Sequence, residues 1–211
     1  LSHKILIFLD QPHNDLLTRL RPLLSHDKKE IISKITDKTQ KFGLKTKNVL
    51  LRGYPSVIFC TAGLKIDEQE ATRFLLLSPE VNQEKIQQSI SATIRKEADS
   101  ESFKSWLEEN PDRILLKERI RAIKQENIRE INIVSPKRIE ELYLNDNKML
   151  KPRHQRDIKR LLSIIKSFAL LNVWWRERNG STIMANDEDI ENAFKLWNRI
   201  AVSQELNLPP Y

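Results

Sequence analysis

The sequence predicts an α/β fold with a mostly helical carboxyl-terminal part, and three observations carry that prediction. Residues 5–10 read ILIFLD and residues 56–62 read SVIFCTA, apolar runs too short and too β-branched for helices, which predicts strands buried in a parallel sheet. Between them EIISKITDK and LKTKNVLLRG flank QKFG, where Gly43 supplies a permissive turn. Residues 30–53 therefore predict a β-hairpin with its tip near Lys41 to Lys45. Beyond Pro79 the apolar spacing becomes helical, beginning with Ile86, Ile90 and Ile94.

The elements follow in order. After the first strand, Pro12 suits a helix's first turn, and Leu16, Leu17, Leu20, Leu23 and Leu24 share one helical face. After SVIFCTA, the polar stretch GLKIDEQEA leads into TRFLLLSP, which predicts a third strand with Arg73 at its start. Pro111 separates the Ile86 helix from one carrying Leu115, Leu116, Ile120 and Ile123. INIV predicts a short strand, and Ser135 before Pro136 a helix start. From Pro152 a long stripe of Ile158, Leu161, Leu162, Ile165, Phe168 and Ala169 ends near Trp174 and Trp175. A last helix follows Asn186, its cap supported by Asp189 three residues on, and is expected to bury Ile190, Ala193, Phe194 and Trp197. The change of texture near residue 80 predicts two domains, 1–80 and 81–211.

The 211 residues carry 36 Lys and Arg against 29 Asp and Glu, a net charge of +7 that favours a polyanionic partner such as nucleic acid. Hydrophobic residues make up 39% of the chain, enough for a real core. No run approaches the roughly 18 apolar residues of a membrane span, and the first residues lack the basic-then-apolar plan of a signal peptide. The expectation is a protein without a membrane partner, cytoplasmic or nucleoid-associated. Cys60 is the single cysteine, which excludes a disulfide within the chain, and its place in a predicted strand argues for packing over nucleophilic chemistry. His3, His13, His26 and His154 lack metal spacing.

The succession ILIFLDQ, hairpin, SVIFCTA, TRFLLLSPE and a helix opening PRHQRDIKRLL resembles the second half of an AAA+ ATPase core followed by its helical lid. It is most similar to the branch with a β-hairpin inserted before the sensor strand, which includes the minichromosome maintenance (MCM) helicases. The resemblance covers most of the chain, and the order of its short motifs carries it. It implies a partial AAA+ parallel sheet with an inserted hairpin, then a lid and helical bundle.

On that resemblance Asp10 takes the Walker B position, holding Mg²⁺ beside ATP. Gln11 stands where the family commonly has a glutamate; it can orient a water but not take its proton. Thr61 falls at the sensor 1 position, the alternative being a threonine that ends a strand. Arg73 matches an arginine that reaches a neighbouring subunit's nucleotide, which implies a homo-oligomeric ring; otherwise it is a solvated arginine. Arg156 aligns with the sensor 2 arginine, and Arg153, one turn away, is its alternative. A helix opening with arginines conflicts with its own dipole unless an anion binds there.

Lys38, Lys41, Lys45 and Lys47, with Phe42 among them, are the DNA-contact candidates at the hairpin tip, the alternative being protection of a strand edge. Trp174 and Trp175 read as core or subunit-contact residues, or as a stacking platform for bases. The resemblance implies ATP-driven DNA unwinding or translocation in replication of a chromosome, virus or plasmid. No G-x-x-x-x-G-K-[ST] phosphate loop occurs in the chain, so the expectation is a fragment or a degenerate relative, inactive by itself. A non-enzymatic DNA-binding or assembly module is the alternative.

Overall fold

A computed structural model of the protein describes residues 4–24, 27–37, 45–60, 74–77, 82–147 and 149–206. The chain divides into two compact units, Leu1–Phe74 and Leu75–Tyr211. It is an α/β protein in which small sheets sit among longer helices.

In the first unit β1 (Ile5–Phe8) and β4 (Ser56–Phe59) pair in parallel, Ile5 opposite Ser56 and Phe8 opposite Phe59. Parallel neighbours need a crossover, and here it contains helix α1 (Asn14–Leu24) and an antiparallel hairpin. Helix α1 buries Leu17, Leu20 and Leu23, while Leu16 is largely exposed. Pro12 is buried and precedes the helix rather than entering its first turn, because the first helical bonds are accepted by the His13 carbonyl.

The hairpin joins β2 (Glu30–Asp37) to β3 (Lys45–Arg52) in unbroken register from Glu30 opposite Arg52 to Asp37 opposite Lys45. Its base is tied by Arg52 Nε, which donates to Glu30 Oε1 at 2.8 Å, and by the Gly53 amide on the Lys29 carbonyl at 2.8 Å. Gly53 has φ 94°, a left-handed conformation that a side chain would strain.

Two strand expectations are corrected. β1 and β4 are not buried on both faces: Ile5, Ile7 and Ile58 are 63%, 67% and 53% exposed, and Leu6, Phe8, Val57 and Phe59 are half-buried. Apolar residues at every position suit a doubly covered strand, but among the described residues only one face is covered. The segment expected as a third strand is irregular over residues 74–77. Phe74 there meets Phe59 edge-on, ring centroids 4.9 Å apart. Cys60, expected to pack in a strand, lies beyond the end of β4 and is exposed.

The second unit opens with three consecutive helices, α2 (Gln83–Ala98), α3 (Ser100–Glu109) and α4 (Pro111–Gln125). Each starts on a side-chain cap from Asn82, Asp99 or Asn110, and Pro111 occupies the first helical position of α4, where no amide partner is lost. None of the three buries a residue completely; Ile94, Leu115, Leu116 and Ile120 are all more than half exposed.

The core of this unit lies further on. Strand β5 (Glu130–Ile133), helix α5 (Pro136–Asp146), helix α6 (His154–Leu171) and a single 3₁₀ turn at Val173–Trp175 lead to a tight hairpin, β6 (Arg178–Asn179) and β7 (Thr182–Ala185), and then helix α7 (Asp187–Leu206). The sheet order is β5-β7-β6, with β5 parallel and β6 antiparallel to β7. Gly180, at φ 61°, makes the hairpin turn. Leu161, Ile165, Ala169, Ile183, Ala185, Ile190 and Ala193 have no solvent exposure, joined by Phe194 and Trp197 at 7% and 6%. The stripe of α6 and the inner face of α7 are thus the two halves of one core, closed by β7.

Candidate functional site

In the first unit Asp10 and Gln11 lie at the carboxyl end of the parallel pair. β1 ends at Phe8, so Leu9 and Asp10 run off the sheet where Cys60 leaves β4. Leu9 is 85% exposed, Asp10 is exposed and Gln11 half-buried. A carboxylate at this edge of parallel strands stands where α/β folds receive ligands. It remains hydrated enough to take a cation without first losing a buried partner. Thr61 and Arg73 lie outside the described residues.

The hairpin presents its lysines in two ways. Lys47 in β3 is exposed and sits opposite Ile35. Lys34 in β2, which the sequence reading did not select, is also exposed and pairs across with Asn48. Ile32 and Leu50 face each other on that same side, 69% and 45% exposed. Strand alternation puts Lys34 in this row, two residues on from Ile32 and away from the tip. Lys45 closes the described register opposite Asp37, while Lys38, Lys41 and Phe42 lie outside the described residues.

In the second unit the start of α6 answers the electrostatic conflict read from its arginines. Asp157, in its first turn, is buried and takes Arg153 Nε at 3.1 Å; the guanidinium of Arg160 bonds its other oxygen. The carboxylate is also favourably placed in the helix dipole. Burial pulls the Arg160 guanidinium below its ordinary value and Asp157 pulls it back up. Arg153 and Arg160 are thus committed to an internal carboxylate, while Arg156 projects its side chain to solvent.

His154 is buried and accepts the Lys151 amide on Nδ1 at 3.3 Å, and its carbonyl accepts Tyr143 Oη–H at 3.2 Å. The Tyr143 ring stands edge-on to the imidazole, centroids 6.2 Å apart, and burial pushes the phenol up to about 12.

The turn after α6 corrects the reading of the tryptophans as core residues: Trp174 is 44% and Trp175 69% exposed. They point outward because the next residue, Arg176, takes the inward place. Trp174 Nε1 donates to Glu126 Oε1 at 2.9 Å, and Arg178 holds the other carboxylate oxygen of Glu126. Arg178 first, then the indole, keep the Glu126 carboxyl below its ordinary range. The sequence reading also missed the β6–β7 hairpin, although Asn179-Gly180 is a strong turn signal.

Among the described residues no three His, Cys, Asp or Glu side chains converge as a metal cage, and no helix is long and apolar enough to cross a membrane. No protein-family model, no curated protein and no solved structure matches the chain.

Proposed function

We propose that the chain is part of an ATP-driven DNA helicase or translocase of the MCM-like AAA+ type. The observation that best supports this is the order in the first unit: a parallel strand releasing Asp10, a helix, an antiparallel hairpin, then the adjacent parallel strand. An inserted hairpin between neighbouring parallel strands is what the resemblance requires. The unit also carries thirteen Lys and Arg against eight Asp and Glu, a charge suited to DNA.

In this reading Asp10 would hold Mg²⁺ with ATP, an ion commonly bound through one or two carboxylates together with substrate phosphates. The exposed carboxylate at the sheet edge fits that demand. Gln11 would orient water, Thr61 would meet the terminal phosphate, Arg156 would take the sensor 2 role that the resemblance gives it, and Arg73 would act across a subunit boundary in a homo-oligomeric ring. Arg153 serves by fixing Asp157 and the start of α6. The hairpin lysines, Lys34 among them, would track the DNA backbone.

The test is DNA-stimulated ATP hydrolysis by the longest natural form of the protein beside its Asp10→Ala variant. Hydrolysis that disappears with Asp10 supports the motor. Salt-sensitive DNA binding without any hydrolysis replaces it with a non-enzymatic binding module.

A further inference from the structure

The solvent side of α6 and the turn that ends it form a second surface suited to nucleic acid, which overlaps the nucleotide-site assignments at Arg156 alone and otherwise does not depend on them. The helix contains one acid, Asp157, which is buried and neutralised by Arg153 and Arg160. Its exposed residues include Arg156, Lys159, Ser163, Lys166 and Ser167, so every charge the helix shows to solvent is positive. From Arg156 to Lys166 this row spans about 15 Å at 1.5 Å per residue. Ser163 and Ser167 keep their hydroxyls on the Lys159 and Ser163 carbonyls, at 3.0 and 2.8 Å, which leaves the lysines as the reaching groups.

Four residues past the end of α6, in the turn that follows it, stands Trp175. Trp174 is fixed by Glu126, and the Trp175 ring meets it edge-on, centroids 6.0 Å apart and planes at 89°. Trp175 therefore exposes a face without the freedom of an isolated surface indole, and stacking on it costs little ordering entropy. Arg119, bonded to the Leu171 carbonyl at 2.8 Å, adds positive charge beside the turn, while Arg178 balances Glu126 there. A basic track ending in an aromatic platform is the chemistry that single-stranded nucleic acid selects.

We infer that the outer face of α6, with Trp175 at its end, binds single-stranded nucleic acid, the lysines meeting phosphates and the indole stacking on a base. The test titrates the full chain with oligothymidylate, following tryptophan quenching and the salt dependence of affinity. Trp175→Ala should remove most of the quenching and weaken binding about tenfold, since a stacked base is worth about 1–3 kcal/mol. Lys159→Ala with Lys166→Ala should lower the slope of log K against log salt by about 1.4, at about 0.7 per phosphate contact on a single strand. Lys47→Ala separates this surface from the hairpin: a loss of affinity with Trp175-dependent quenching intact supports the inference even if the motor reading fails. Unchanged quenching and affinity in Trp175→Ala, or an effect of that variant on self-association alone, would overturn it.

Discussion

Arg176 and Asp189 form a buried two-point clamp: Nε and a terminal nitrogen of the guanidinium each lie 2.7 Å from a different carboxylate oxygen. The side chains are 4% and 0% exposed. Asp189 also closes the start of α7, accepting the Asn186 amide at 3.1 Å while its own amide donates to Asn186 Oδ1 at 3.2 Å. One carboxylate thus caps a helix and pins the preceding turn to it. Asp189 raises the Arg176 guanidinium above its ordinary value, and the inward turn of Arg176 leaves Trp174 and Trp175 outside.

Removing one half of this clamp is the costliest polar change expected in the second unit. Asp189→Ala takes the buried partner from the Arg176 guanidinium, which keeps the exposed Glu188 and the Trp175 carbonyl, each at 3.2 Å, so the loss is about 3 kcal/mol, and it deletes a cap contact worth about 1 kcal/mol more. Replacing both partners with apolar residues, Arg176→Met with Asp189→Leu, should cost less than Asp189→Ala alone. Urea unfolding of the three proteins measures the difference; a double variant no more stable than the single one would mean the pair serves packing rather than charge.

A second contrast concerns leucines. Leu161 in α6 has no exposure and Leu115 in α4 is 65% exposed, although both sit in apolar helical stripes. Leu161→Ala should cost about 2.7–5 kcal/mol through lost transfer energy and a cavity. Leu115→Ala should stay within about 0.5 kcal/mol. Thermal unfolding that ranks the two variants together would place α4 inside a core.

The difference between those leucines explains what was legible in the sequence. Periodicity names a helix and its apolar face, so α1, α6 and α7 could be read, and Asn186 with Asp189 marked a cap through a local spacing rule. Periodicity does not say what covers the face: Ile94 and Leu115 carry the same pattern as Leu161 and remain outside. The β6–β7 hairpin is too short for an alternating pattern, and the Arg176–Asp189 clamp joins residues 13 apart by folding rather than by spacing. Asp157 went unnoticed for the opposite reason. It stands among arginines in the sequence, and only burial reveals that it claims Arg153 and Arg160.

Tyr143 should impose a pH dependence at the alkaline end. Its folded phenol is pushed up to about 12 by burial. The unfolded phenol lies near 10, so between those values the folded state holds the proton more tightly. The stability it contributes is complete below about pH 10 and is lost as pH rises toward the folded value. Tyr143→Phe removes this term and the bond to the His154 carbonyl, worth about 1 kcal/mol at neutral pH. Urea midpoints for both proteins should differ at neutral pH and converge in strong alkali.

The hairpin yields the last prediction. Lys34 and Lys47 are exposed on neighbouring strands, Lys34 opposite Asn48 and Lys47 opposite Ile35, so alternation sends them to opposite sides of the ribbon. A single duplex lying against one side can engage one of them strongly, whereas DNA surrounding a projecting hairpin engages both. Single alanine variants should therefore each lower the slope of log K against log salt by about 0.9 on duplex DNA if the hairpin enters a DNA-filled space, with the double variant lowering it by about twice that. The loss should be uniform across sequences, since lysine meets phosphate and reads no base. If only one variant moves the slope, DNA lies along a single side of the hairpin, and the ribbon acts as a flat docking edge rather than a projecting finger.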